Sequence, residues 1–386
     1  MDPACNVCGT RLGVPIYESA ENGSITTMNK LIPGRTRVFF CEACGHLQTS
    51  ELPNLAEYYA HEYEVNLGSE EDDQLYKLID GRPVYRADHQ AAVLQSKVAF
   101  FPGCRVLDYG CAKAPTLRKT VAANMGIEPF LFDVTDKYIP FWKRFPKPPQ
   151  WSIHQPDPAW HGTMDVVLSF YALEHVSDLD AAICNVKALL RKGGTFYFLV
   201  PNVYANVADF IVADHINHFS RSSLHGLLER HEFDSIEIDD TAHDAAFVVK
   251  ARLASDPGAP RSAVSSALDK SRAAVSDMAR YWQSVAGRIR HFEDSIRPAG
   301  VVAIYGAGFY GNFIASVLRQ FDQVRCFVDQ NRFLQGNAIN GRPILAPESL
   351  PDDVTHVFVG LNPRIAESTI GSLKCWNGRQ LEFFFL

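Results

Sequence analysis

With 386 residues, the chain can bury two or three cores at roughly 100 to 200 residues per domain. Its 47% hydrophobic and 21% charged residues are those of an ordinary globular protein and exclude wholesale disorder. A net charge of −7 provides no global basic field, no Lys/Arg cluster with interleaved aromatics stands out, and nucleic acid is not expected as a partner.

The opening stretch MDPACNVCGTRLG lacks the basic start and apolar centre of a signal peptide, so export is not expected and the cytoplasm is the default address. It carries the first of two CxxC pairs. Cys5, Cys8, Cys41 and Cys44 put two thiolates on each of two tight turns, with Gly9 and Gly45 directly after to let the turns close. The pattern predicts a structural Zn²⁺ site in a small domain over residues 1–55, closed by four ligands and serving folding; two unrelated redox or buried pairs is the alternative. His46 flanks the site. Further on, EYYAHEY offers the phenols of Tyr58, Tyr59 and Tyr63, as hydroxyl donors or as packing aromatics, and SEEDD (Ser69 to Asp73) reads as a solvated helix start.

Residues 56–255 alternate apolar runs with helical stretches. VLDYG, PFLFD, MDVVLSF, GTFYFLV, SIEID and AFVVKARL predict strands of a mostly parallel sheet with helices on its faces. Asp180 to Leu190 predicts a helix stopped by RKGG through Gly193 and Gly194. From Val106 to Ala114 an apolar strand runs into an acid and then a turn of small residues. Gly110, Ala112 and Ala114 let the backbone pass close to a ligand, and Asp108 stands at the carboxyl end of the strand, where open α/β sheets bind ligands. That carboxylate repels a pyrophosphate and suits a cationic, phosphate-free cofactor such as S-adenosylmethionine. Asp133, ending the next strand, is placed to accept both ribose hydroxyls; the alternative is that it starts the turn leading to Asp136. The strand end at Ser169 and Phe170, with Leu173, Glu174 and His175 beginning the next helix, borders the same pocket.

Past Val200, Pro201 and Asn202, the segment VYANVADFIVADHINHFS holds three residues able to move protons or contact polar substrate: Asp214, His215 and His218. A histidine of near-neutral pKa is a natural base for a proton beside a carbonyl, and an adjacent carboxylate can orient it. Alone, DHINH serves equally as a satisfied structural cluster or a helix cap.

Residues 256–298 begin with a linker, SDPGAPRS. Apolar side chains then recur at Val264, Leu268, Val275, Met278, Trp282, Val285, Ile289, Phe292 and Ile296, which predicts a long amphipathic helix, either a connector or an intermolecular coiled coil. Residues 299–386 form a second alternating unit with strands VVAIYG, VRCFVD, THVFVG and QLEFFFL. Gly306-x-Gly308-x-x-Gly311 follows a strand and precedes a helix, with Asp329 further on; by itself this context suggests NAD. The apolar stretch Val301 to Leu318 is broken by these glycines and Asn312 and is not expected to span a membrane.

The succession LDYGC, FLFD, SFYALEHV and LLRKGGTFYFLVPN resembles a class I S-adenosylmethionine-dependent methyltransferase core; the family usually has glycine where Ala112 and Ala114 stand. Over its full length the chain resembles the sugar C-methyltransferases, with an N-terminal zinc-binding domain, a methyltransferase core and a C-terminal Rossmann-like domain. The two CxxC pairs, Asp108, Gly110, His175, Asp214 and His215 followed by Phe219 and Ser220, YGAGFYGN and VDQN…GRPILAPESL carry that resemblance. It implies an α/β enzyme that binds S-adenosylmethionine through Asp108, Gly110, Ala112, Asp133, Phe170 and Leu173. It implies His215 as base toward a nucleotide-linked keto sugar, with Asp214, His175 and His218 around it. Tyr63, Asn202, Gly306, Gly308 and Tyr310 would then lie on the substrate side, the C-terminal glycine turn working without a redox cofactor. Val212 stands where the family commonly has tyrosine, and His218 where it has an aromatic. Losing a phenol removes a donor to an enolate, so O-methylation of a sugar hydroxyl is kept open, beside an NAD-dependent oxidoreductase and a non-catalytic binding protein. A monomer or homodimer is expected.

Overall fold

The computed structural model describes residues 3–19, 23–52, 73–79, 81–255, 268–298 and 300–386. These divide into two units. The first comprises Met1–Ile16, Arg37–Asp209 and Asp214–Val275; the second comprises Tyr17–Thr36, Phe210–Ala213 and Ser276–Leu386.

In the first unit, seven strands form one sheet: β1 (Arg105–Tyr109), β2 (Glu128–Asp133), β3 (Gln150–Ile153), β4 (Met164–Phe170), β5 (Leu190–Pro201), β6 (Phe233–Asp239) and β7 (Ala246–Leu253). Their order is β3-β2-β1-β4-β5-β7-β6. The first five run parallel and β7 pairs antiparallel with β5 and β6. Central strands such as β1 and β2 are buried almost throughout, because both faces are covered, whereas edge strand β6 alternates inward and outward. The period of two is visible in the cores: Leu107, Phe130, Val167 and Phe198 pack on one face, Val106, Leu131, Val166 and Tyr197 on the other. Cys5, Cys41 and Leu173 belong to the first of these cores.

Helices α1 (Arg86–Lys97), α2 (Pro115–Ala123), α3 (Leu179–Leu189) and α4 (Arg221–Arg230) accompany the sheet. Asp73, the last residue of SEEDD and the one described, accepts the Ala87 amide at 2.9 Å in the first turn of α1. Asp178 caps α3 through the Ala181 amide, and Ser220 and Ser223 form a reciprocal capping box on α4. Two sequence expectations change here. The α3 helix stops at Leu189 and β5 starts at Leu190; Gly193, at φ 71°, sits where the β4–β5 register shifts, so the glycines serve an irregular strand and not a helix stop. Leu173–His175 is one 3₁₀ turn, and the helix proper begins at Leu179 because Asp178 supplies the cap.

The cysteine-bearing part of this unit adds antiparallel strands at Arg37–Phe40 and Leu47–Thr49, the latter pairing with Asn217–His218.

The second unit has its own sheet, formed by β8 (Val302–Tyr305), β9 (Val324–Val328), β10 (Ala338–Ile339), β11 (Arg342–Leu345), β12 (His356–Val359) and β13 (Glu382–Phe385), in the order β10-β11-β9-β8-β12-β13. Helix α5 (Leu268–Ser295) fulfils the amphipathic expectation, burying Val275, Met278, Trp282, Val285 and Ile289; Val264 lies outside the described residues. Between β8 and helix α6 (Phe309–Val317), Gly306 takes φ 95°. A Cβ on Gly311 would stand 1.8 Å from the Gly306 carbonyl oxygen, and one on Gly360 2.6 Å from the Gly311 Cα, so three glycine backbones are in contact. Gly308 has open space around it. Among the described residues, no helix is long and apolar enough to cross a membrane.

Candidate active site

The turn after β1 is built on left-handed backbone. Gly110, Ala112 and Ala114 have φ of 72°, 44° and 51°. For the two alanines that conformation costs about 1 kcal/mol each, the kind of strain stored at sites rather than in scaffolds. A Cβ on Gly110 would lie 2.9 Å from the Ala172 Cβ, so only glycine leaves this approach open. The Ala114 methyl is buried in the sheet core, while Ala112 stays half-buried, so of the two extra methyls only that of Ala112 lies near the surface of the turn. Ala112 donates its amide to Asp133 Oδ2 at 2.8 Å, and its carbonyl accepts from Trp142 Nε1 at 2.7 Å. Asp133, at the end of β2, also accepts the Thr135 amide at 3.3 Å; burial raises its pKa, and each oxygen keeps a lone pair for a hydroxyl donor.

Asp108 is 2% exposed, and its Oδ1 has no hydrogen-bond partner. Burial first, and then the nearby Asp133, push its pKa well up. An unpartnered buried acceptor beside a glycine cradle is what a cationic amino-acid moiety with donor groups would satisfy, so these residues fit S-adenosylmethionine. Phe170 is half-buried at the end of β4, 6.1 Å ring to ring from Tyr197. Leu173, by contrast, points into the core, leaving its main chain as what it can offer a ligand. Asn202 follows β5 and uses its Oδ1 on the Tyr204 amide, fixing the turn there.

A second group gathers around His215. Its ring lies 4.7 Å from that of His175, and a Glu174 carboxylate oxygen and one nitrogen of each histidine lie within 4.8 Å of one another. His215 Nδ1 donates to Asp209 Oδ1 at 2.5 Å, and His218 Nδ1 donates to Asp209 Oδ2 at 2.8 Å. The carboxylate on His215 is therefore Asp209 and not the adjacent Asp214. The reason is local: Asp214 gives its backbone carbonyl to His175 Nδ1 at 2.8 Å, with its side-chain Oδ2 4.0 Å away. Burial pushes His215 down, but Asp209's charge and hydrogen bond, with Glu174 and Asp214 beyond, raise it to about 9. Burial likewise pushes Asp209 up, and two imidazoles more than offset this, leaving it well below the usual carboxylate range. Burial raises Glu174 to about 8 and lowers His175 to about 4. Glu174 Oε2 has no hydrogen-bond partner. The site thus holds a carboxyl kept neutral, a neutral imidazole and a carboxylate-backed imidazole side by side, groups driven apart in pKa by their surroundings.

The four cysteines converge. Cys8 and Cys41 sulfurs are 3.5 Å apart, Cys5 and Cys44 3.7 Å, and all four lie within 4.8 Å of one another. A tetrahedral ion with Zn–S bonds of about 2.3 Å has sulfurs about 3.8 Å apart, so the set fits zinc. Crowding alone lowers Cys41, through hydrogen bonds from Cys44 and Cys5, and raises Cys44, a conflict that one dication removes. His46 is no ligand here: its Nε2 donates to Asn217 Oδ1 at 3.2 Å. Asn217 also accepts from Asn6 Nδ2 at 3.0 Å and donates to the carbonyls of Leu173 at 3.0 Å and Val176 at 2.6 Å. One amide thereby joins both cysteine loops to the turn carrying Glu174 and His175.

Gly306, Gly308 and Tyr310 belong to the second unit, where Tyr310 is buried and stacks at 6.3 Å on Trp282. There Asp329 accepts the Ala307 amide at 2.8 Å and the Asn331 amide at 2.7 Å, the arrangement that Asp133 makes in the first unit. Tyr58, Tyr59 and Tyr63 lie outside the described residues. Asp209, Thr49 and Asn217 escape the sequence reading; the one local signal is a second acid in the segment that carries Asp214.

An open α/β sheet with a glycine turn after β1 and an acid ending β2 defines a nucleoside-cofactor protein of the doubly wound class. Residues 84–238 match the sequence profile of a methyltransferase domain, and the chain is an enzyme carrying that domain. No curated protein matches the sequence. Among solved structures, the chain is similar to the methyltransferase in complex with the Trm112 activator of Haloferax volcanii (14% identity, 44% of this chain and 91% of that one, TM-score 0.38). It is also similar to a SAM-dependent methyltransferase from Archaeoglobus fulgidus (16%, 44% and 95%, 0.36). A third is phosphoethanolamine N-methyltransferase 2 of Haemonchus contortus (12%, 44% and 53%, 0.37).

Proposed function

We propose that the enzyme methylates a carbohydrate at carbon, a nucleotide-linked keto sugar, through an enolate generated by His215, with Cys5, Cys8, Cys41 and Cys44 holding a structural Zn²⁺ and the cytoplasm as its address. The observation that carries this reading is the Asp209–His215 hydrogen bond, which occupies Nδ1 and leaves Nε2 for a substrate proton. When bound, S-adenosylmethionine supplies an electrophilic methyl group on a sulfonium. Asp108 and the Gly110 turn would hold its amino-acid part and Asp133 its ribose hydroxyls. His215 Nε2 takes the proton beside the ketone, and the electron pair of the broken C–H bond moves into the enolate. Glu174, neutral because burial lifts it to about 8, donates a hydrogen bond to the developing oxyanion.

The test is exchange of the substrate's α-proton in D₂O, followed by NMR of the product. The native enzyme should exchange that proton and place the methyl on carbon. His215→Ala should slow both by about 10²- to 10⁴-fold while leaving S-adenosylhomocysteine binding unchanged. Retained turnover would remove the base assignment. O-methylation is the second reading, favoured by Val212 in place of a phenol; a methyl on oxygen with no α-exchange would establish it.

A further inference from the structure

We propose that Asp209, backed by His218 and Thr49, is the positioning group of the site, fixing His215 in the one tautomer that can act as a base. The proposal rests on reading His215 as that base.

The groups form an unbroken buried line. Thr49 Oγ1 and His218 Nε2 are 2.7 Å apart, His218 Nδ1 meets one Asp209 oxygen and His215 Nδ1 the other. Asp209, His218 and Thr49 are 2%, 1% and 3% exposed, so water does not compete for these bonds. A carboxylate can only accept, so both Nδ1 atoms must carry protons. Neutral His215 is then held as the Nδ1–H form with its lone pair on Nε2, and the alternative tautomer would set that lone pair against Asp209. Thr49 completes the line because a hydroxyl donates to a neutral imidazole or accepts from a charged one.

The other groups facing His215 act differently. Glu174 and His175 come from the 3₁₀ turn and Asp214 from the preceding residue. None of them is bonded to a His215 nitrogen, so none can set its tautomer. His218 divides the Asp209 charge between two imidazoles, which moderates its hold on His215.

The experiment is ¹⁵N NMR of histidine-labelled full-length protein across pH 5 to 10, beside α-proton exchange. In the native enzyme neutral His215 should be protonated at Nδ1 and titrate near 9. Asp209→Asn should move the titration toward the ordinary value of about 6.5, mix the tautomers, and cut kcat by about 10²- to 10⁴-fold with little change in KM. His218→Phe, placed where a ring already fits, should push the His215 titration further alkaline because Asp209 then serves one imidazole. An unchanged His215 tautomer and titration in a folded Asp209→Asn protein overturns the proposal. If that variant does not fold, an unmoved titration in His218→Phe does so. Should His215→Ala keep α-exchange, the base reading falls, while the NMR result still decides whether Asp209 governs His215.

Discussion

Glu174 is a carboxyl walled off from water, 1% exposed, with one oxygen unpartnered. Its folded pKa of about 8 lies above the ordinary value of 4.5, so the folded protein retains a proton that the unfolded chain releases between those limits. Stability from this residue is therefore full below about pH 4.5 and is lost as pH rises through 8. Glu174→Gln, which cannot ionise, should raise the melting temperature over wild type more at pH 9 than at pH 6. Equal shifts at both pH values would show that the buried proton is absent. Activity depends on both groups: His215, at about 9, must lose its proton while Glu174, at about 8, must keep one, so kcat/KM should peak between about pH 8 and 9 and fall on either side. At this scale the sequence was legible where spacing carries meaning. Asp108, Gly110 and Asp133 mark a strand–turn–strand unit. Asp209 was not legible, because it sits in the 3₁₀ turn Val207–Ile211, where no regular helix or strand spacing ties it to His215, and only the tertiary path brings the two together.

Among the elements, the cysteine loops and the 3₁₀ turn at Leu173–His175 behave as one piece. Gln48 accepts the Asn6 amide at 2.8 Å and donates to the Ala4 carbonyl at 3.0 Å, Ser222 donates to the Cys44 carbonyl at 3.0 Å, and Asn217 spans the rest. Chelation of the Zn²⁺ proposed for these cysteines, under reducing conditions, should lower the melting temperature and speed hydrogen exchange at Leu173–Val176, leaving the β8–β9 pair of the second unit unaffected. Unchanged exchange at that turn would show that the cysteine loops fold independently of it. In the second unit, Gly311→Ala should be severely destabilising because its methyl would overlap the Gly306 carbonyl, whereas Gly308→Ala should be tolerated; measured unfolding free energies separate the two. The CxxC pairs and the glycine pattern were readable as local motifs. That Gly360 completes the glycine contact was not, since it lies in another strand's turn.

The molecule as a whole repeats one device. In each unit an aspartate at or just beyond the second parallel strand accepts an amide from the turn after the first, at 2.8 Å in both cases. The two turns differ in what they leave open: Gly110 meets only the Ala172 methyl, while Gly306 is pressed against Gly360. Thermal shift reads the consequence. S-adenosylhomocysteine at about 100 times its Kd should stabilise the protein by about 2.7 kcal/mol, and NADH at the same concentration should not; a shift with NADH alone would restore the oxidoreductase reading. The alternation of strands and helices announced both sheets, but not the strand order of the first, since right-handed crossovers are compatible with more than one order. The allotment of Tyr17–Thr36 and Phe210–Ala213 to the second unit could not be read, because segments this short carry no address in their composition.

Asn217 offers two donors and two acceptor sites, and all four are used. Aspartate would set a charge against two carbonyls, leucine would strand four polar partners, and glutamine would overreach by a methylene. The position therefore admits one letter of the twenty. In any related chain that keeps both CxxC pairs and the Leu-Glu-His turn, this single residue becomes a spelling check on whether the two are still wired together.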